Sequence, residues 1–171
     1  IMLNNLFPNV RPRRLRKNKT IRGLVSETKL LKSKLIQPLF VSESISKKQP
    51  LESMPGQFLF SKDLLHEEIE VLLNLGIKTI ALFPNIPENL KDADGTNALN
   101  EQNFICKLVS EIKDRYPEVV LITDVALDPY TISGHDGIIK NDVVDNDLTL
   151  EALEKMAVNL AEAGALSLIH I

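Results

Sequence analysis

The feature that most limits how this chain can fold is an alternation of two hydrophobic periods. Leu35 to Val41 is an apolar run of strand length, although Pro38 removes one ladder donor. A polar stretch from Ser42 to Pro55 follows and ends in Met54-Pro55-Gly56. From Ser61 the pattern becomes Leu65, Ile69, Leu72 and Leu73, the i, i+4, i+7, i+8 spacing of an amphipathic helix, with Ser61 as N-cap and Gly76 as stop. Thr79 to Phe83 reads as a second strand closed by Pro84, and residues 98–115 as a helix with Ile105, Leu108 and Ile112 on one face. Val119 to Val125 is a third strand. Thr149 to Ala163 is a helix with Leu153, Met156, Ala157 and Leu160 inward and Gly164 at its end, and Leu166 to Ile169 starts a fourth strand.

Strands apolar throughout and separated by helices predict α/β architecture, with βαβ units and a parallel sheet buried on both faces. Open doubly wound sheets and closed barrels both satisfy that pattern. No G-x-G-x-x-G follows a strand and no G-x-x-x-x-G-K-[ST] occurs, so dinucleotide and P-loop readings lose their support. The TIM (β/α)8 barrel is the better fit. At about 31 residues per unit, the body from residue 35 holds about four units, the first half of a barrel.

Charge separates the ends of the chain. Residues 1–26 carry seven basic residues, Arg11, Arg13, Arg14, Arg16, Lys17, Lys19 and Arg22, and no acidic one, whereas the remainder has 13 basic against 23 acidic groups. With no aromatic residue between those charges to stack on bases, the arm is read as a subunit contact that meets an acidic body, and no nucleic-acid partner is expected. A non-catalytic parallel α/β subunit that binds a partner through this arm is the alternative to an enzyme. The lone Cys106 allows neither an internal disulfide nor a thiolate zinc cluster, which fits a reducing cytoplasm. No apolar run reaches the roughly 20 residues of a membrane span, and the opening IMLNNLFPNV lacks a secretory pattern. Ile1 before Met2 reads as an untrimmed start.

The chemistry concentrates in Thr123 to Gly137, at the C-terminal end of a predicted strand, where parallel α/β proteins place their sites. Asp124, Asp128, Asp136, His135 and Tyr130 bring three carboxylates, an imidazole and a phenol close in sequence, suited to a hard cation or an amine. The competing reading is an ordinary loop in which Asp caps turns and Gly supplies unusual backbone angles. Asp124, placed directly after the apolar strand residues, fits that reading least.

The run Asp124-Val-Ala-Leu-Asp-Pro-Tyr-Thr followed by Gly134-His-Asp-Gly resembles the metal-site loop of the porphobilinogen synthase (delta-aminolevulinic acid dehydratase) family. Arg11-Pro-Arg-Arg-Leu-Arg, Leu35 to Val41, Ser53-Met-Pro-Gly, Leu75-Gly-Ile, Leu82-Phe-Pro, Lys91-Asp before Gly95, and Asn146-Asp-Leu-Thr-Leu before Ala163-Gly-Ala add to the likeness, from about residue 11 to residue 165. The resemblance implies condensation of two 5-aminolevulinate molecules to porphobilinogen, a TIM barrel, and an arm that wraps a neighbouring subunit, commonly in homo-octamers. It implies a basic arm over 1–34, a first half-barrel over 35–165, and a tail, 166–171, foreign to the family's continuation and containing His170. It places the two Schiff-base lysines beyond this chain, so the fragment alone is expected to be inactive, and Lys29 and Lys107 read as surface charges. His66 and Cys106 read as structural.

The resemblance assigns Asp124 as an active-site aspartate, with Asp128, Tyr130 and Asp136 in the substrate-binding or active-site loop. Zinc-dependent members carry cysteines at the positions of Ala126, Asp128 and Asp136, so zinc is not expected there, and Asp128 and Asp136 are the candidates for a weakly held magnesium ion. Ser133 and Leu59 depart from the histidine and arginine usual in the family. No organic cofactor and no membrane partner are expected, and the implied location is the cytoplasm, or the plastid in a photosynthetic eukaryote.

Overall fold

The computed structural model describes residues 13–169. Arg11, Ile1, Met2 and His170 lie outside the described residues. The chain divides into two units, Ile1–Leu31 and Lys32–Ile171, so the first boundary falls three residues before the expected end of the arm.

In the first unit, a single 3-10 turn at Arg14–Arg16 precedes helix α1, Lys19–Leu24. Asn18 caps α1 by accepting the Ile21 amide at 2.9 Å, and Arg22 donates to the Arg16 carbonyl. Leu15, Leu24 and Leu30 are exposed beside the basic side chains.

The second unit is built on strands β1 (Ile36–Val41), β2 (Gln49–Pro50), β3 (Phe58–Phe60), β4 (Thr79–Pro84), β5 (Val120–Asp124) and β8 (Ser167–Ile169), in the spatial order β2-β3-β1-β4-β5-β8. All neighbours are parallel except β2 and β3. Helices α2 (Lys62–Leu75), α3 (Phe104–Arg115) and α4 (Asn146–Glu162) connect successive parallel strands, and a two-stranded ribbon of β6 (Ile139–Lys140) and β7 (Val143–Val144) precedes α4. Strand-helix alternation is therefore as the sequence predicts, and the tail from Ser167 to Ile169 pairs with β5.

Pro38 is tolerated within β1 for a geometric reason. Ser42, four residues on and hence bonding toward the same side, donates to Phe60 in β3 at 3.0 Å. Pro38 therefore faces the β3 side, and the register Phe40 to Leu59 puts it opposite Gln57, before β3 begins. No ladder bond is lost.

Several elements differ from expectation. Phe58–Phe60 is a strand the sequence reading did not assign, because three residues are too few to display a period. The second long helix starts at Phe104 rather than 98: Asn103 accepts the Cys106 amide at 2.9 Å, and Thr96–Leu99 forms a separate 3-10 turn. The last helix starts at Asn146, where Asp145 accepts the Leu148 amide at 3.1 Å. Thr149, expected at the helix start, lies one turn inside, and its hydroxyl accepts the Ile138 amide while donating to the Asp145 carbonyl.

The core lies between one sheet face and the helices. Leu39, Val41, Ile80, Leu82 and Leu121 pack with Leu65, Ile69 and Leu72 of α2 and Ile105, Leu108, Val109 and Ile112 of α3. Met156 and Leu160 of α4 join them, while Leu153 and Ala157 are half-buried against this cluster. The opposite face is also apolar, carrying Phe40, Phe83 and Ile122, but Phe40 and Phe83 remain half-buried. The expected burial of both faces is thus complete only on the helix side.

Candidate active site

Parallel strands deliver their C-terminal ends to one edge of the sheet, and the candidate residues collect there. Ser42, just past β1, is fully buried; its hydroxyl donates to the Asn85 carbonyl at 2.9 Å, and the Asn85 amide donates to Val41 at 2.7 Å. The ends of β1 and β4 are laced together by these bonds. The sequence reading passed over Ser42 as the start of a polar stretch, and its burial had no local signal.

Asp124 is the last residue of β5 and is half-buried. Alternation along β5 puts Leu121 and Thr123 on the helix side, so Ile122 and Asp124 share the opposite face. The registers align Leu59 with Phe40, Phe40 with Phe83, and Asp124 with Ile169; Leu82 opposite Thr123 puts Phe83 beside Asp124. One row across five strands therefore holds four apolar side chains and one carboxylate. Phe40 and Phe83 stack with ring centroids 5.4 Å apart. A carboxylate bordering apolar groups interacts with cations more strongly than one in open water.

The following loop folds back on itself. The Leu127 amide donates to Asp136 Oδ1 at 2.6 Å, the Leu127 carbonyl accepts the amides of Tyr130 and Thr131, and the Thr131 hydroxyl donates to the His135 carbonyl. Gly137 closes the loop where a Cβ would lie 2.6 Å from Val144 Cγ1. Half-buried Asp136 thus organises backbone, while Asp128 and His135 are exposed at the surface.

Tyr130, expected in the substrate-binding or active-site loop, lies in that loop with its side chain turned inward. It is fully buried in the apolar core, and no hydrogen-bond partner of its hydroxyl is found among the described residues. Burial pushes its phenol well above the usual value, and the nearby Cys106 and Asp124 add to that shift. Its ring, not its hydroxyl, anchors the loop.

Among the described residues no group of three or more His, Cys, Asp or Glu side chains could hold a metal ion. Of the two carboxylates expected to hold a weakly bound magnesium ion, Asp136 has Oδ1 engaged by the Leu127 amide and Asp128 is exposed. Lys107 and Lys29 are exposed, whereas Cys106 and His66 are buried, the latter with Nε2 3.1 Å from Glu111 Oε1.

A parallel sheet with helices along one face and its polar residues at the strand C-termini defines a chain of the (β/α)8-barrel class, here spanning about its first half. The family model for delta-aminolevulinic acid dehydratase matches residues 9–169. The chain belongs to that family. A delta-aminolevulinic acid dehydratase of Chlamydia pneumoniae is 44% identical over 163 residues, covering 95% of this chain and 49% of that protein. One from Ruminiclostridium josui is 43% identical, covering 91% and 75%. The crystal structure of the Toxoplasma gondii ME49 enzyme, porphobilinogen synthase in complex with its reaction product porphobilinogen, matches with TM-score 0.89 and 39% identity over 94% of this chain and 46% of that one. The chain therefore spans about half the length of the Chlamydia and Toxoplasma proteins.

Proposed function

We propose that this chain is the N-terminal half of a porphobilinogen synthase, which condenses two 5-aminolevulinate molecules to porphobilinogen with loss of water. The observation that carries the reading is the close structural likeness, TM-score 0.89 at 39% identity, to an enzyme crystallised with that product. The part played by these residues is electrostatic and architectural. Asp124 would set a negative charge beside the cationic groups of the substrate and its iminium intermediates, and the apolar row next to it would keep that charge effective. Asp136 would hold the loop through the Leu127 amide, and exposed Asp128 would meet the substrate ammonium group. The lysines that form the Schiff bases are assigned to the second half of the barrel.

Assembly through the arm, commonly into octamers, forms part of the proposal, supported by basic and exposed apolar residues within the first unit. The proposed location is the cytoplasm, or the plastid of a photosynthetic eukaryote; among the described residues no helix is long and apolar enough to cross a membrane. The test is to incubate the full-length protein with 5-aminolevulinate and follow pyrrole formation with and without a zinc-selective chelator. Pyrrole formation in both is expected, since Ala126, Asp128 and Asp136 supply no thiolate. Absence of pyrrole in both would overturn the function. Loss on chelation with recovery on stoichiometric zinc would overturn assignment to the aspartate-rich branch.

A further inference from the structure

The loop carrying Asp128 and Asp136 is held from outside by a turn that follows β4. Asp92 Oδ1 accepts the amides of Asp94 and Thr96, each at 3.0 Å, and Oδ2 accepts the Thr96 hydroxyl. Burial works against ionisation of this carboxyl, but the bonds from Thr96, Asp94 and Gly95 outweigh it and hold its pKa below the usual carboxylate value. The charged side chain therefore fastens its own turn.

The main chain of Asp92 reaches across to the candidate site. Its amide donates to the Tyr130 carbonyl at 3.2 Å, and its carbonyl accepts the Ile132 amide at 2.9 Å, a parallel bridge around Thr131. Gly95, at φ 63, closes the contact: a Cβ there would meet Thr131, Leu127 and Tyr130 at 3.4 to 3.6 Å. Lys140 adds an ion pair to Asp94 at 2.8 Å, tying the β6–β7 ribbon to the same turn. Side chain and main chain of one residue thus act on two different loops.

We infer that Asp92 is a positioning residue for the candidate active site. Its carboxylate shapes the turn of residues 92–96, and its backbone carries that shape to Tyr130 and Ile132. Through the Leu127 turn this fixes the loop on which Asp128 and Asp136 sit. The catalytic consequence rests on the proposed function; the clasp itself rests on the geometry.

The test compares Asp92→Ala, Asp92→Asn and Thr96→Val in the full-length protein, reading amide hydrogen exchange and the kinetics of pyrrole formation. Asp92→Ala should speed exchange at Leu127 and Ile132 by roughly tenfold or more, as expected for a local opening, with Val109 and Ile112 in α3 unchanged. It should lower kcat more than it raises KM. Asp92→Asn keeps an acceptor for both amides and should restore most of the protection and turnover. Thr96→Val removes only the hydroxyl contact and should give a smaller rise at the same amides, which keeps the test decisive if Asp92→Ala fails to fold. Unchanged exchange at Leu127 and Ile132 in the alanine and valine variants would overturn the clasp, as would a rise spread evenly through α2 and α3. Faster exchange with unaltered kinetics would overturn its role in positioning. If the wild-type protein forms no pyrrole, the proposed function fails while the exchange data still decide the clasp.

Discussion

Asp136 Oδ1 lies 2.6 Å from the amide nitrogen of Leu127, so a carboxylate at one end of the candidate loop satisfies a backbone donor at the other. Leu127 is itself fully buried, which keeps water from replacing that bond. Asp136→Ala should cost about 1–3 kcal/mol, the usual penalty for leaving a buried donor without its acceptor, and Asp136→Asn should cost less. Urea unfolding monitored by circular dichroism gives the comparison, and equal stability of the alanine variant and wild type would remove this role.

Gly137 is required by space. A Cβ there would lie 2.6 Å from Val144 Cγ1 and 3.3 Å from Thr149 Oγ1. Gly137→Ala should destabilise by about 1–3 kcal/mol, as overpacking does, and adding Val144→Ala should recover part of the loss. A double mutant no more stable than the single one in thermal unfolding would mean that the clash is not the cause.

Glu111 joins α2 to α3 through Lys62 at 2.6 Å and His66 at 3.1 Å. The hydrogen bond from Lys62 is the main cause that lowers its pKa; burial opposes it, and His66 assists. A carboxyl with a lowered folded-state pKa stabilises the fold above its unfolded value and loses that contribution as pH falls through the folded one. The stability advantage of wild type over Glu111→Gln should therefore be present at neutral pH and disappear on acidification below the ordinary glutamate range. Urea midpoints across pH measure it, and an advantage that grows on acidification would contradict the sign.

The arm is proposed to act between subunits. Neutralising Arg13, Arg14 and Arg16 in the full-length protein should weaken assembly more than it lowers the thermal stability of a protomer. Sedimentation across protein concentrations gives the answer, and an unchanged profile for the triple variant would set this role aside.

Legibility followed the length and locality of each signal. The strands beginning at Ile36, Thr79 and Val120 and the helix faces of Leu65, Ile69, Ile105 and Ile112 were readable because burial repeats within one element. Phe58–Phe60 was not, since its partner in β1 lies about twenty residues away in sequence and three residues carry no period. Asp124 was readable from its place after apolar strand residues, and it does end β5. The burial of Tyr130 was not legible, because a phenol among carboxylates suggests polar work, whereas its loop folds back and packs the ring into the core. Asp92 entered only as part of the Lys91-Asp segment of the resemblance, and its positioning was not legible because its contacts to Tyr130 and Ile132 are made by the backbone, which any residue but proline could supply in full.

The most direct measurement of the central claim is the turnover of Asp124→Ala in the full-length protein with 5-aminolevulinate, beside its thermal unfolding. Removing the only charge in the row formed by Leu59, Phe40, Phe83, Asp124 and Ile169 should lower kcat on the order of a hundredfold or more, the scale of losing one preorganised electrostatic group, with a folded protein at assay temperature. A folded Asp124→Ala protein that forms pyrrole at the wild-type rate would contradict the assignment of this strand end as the active site.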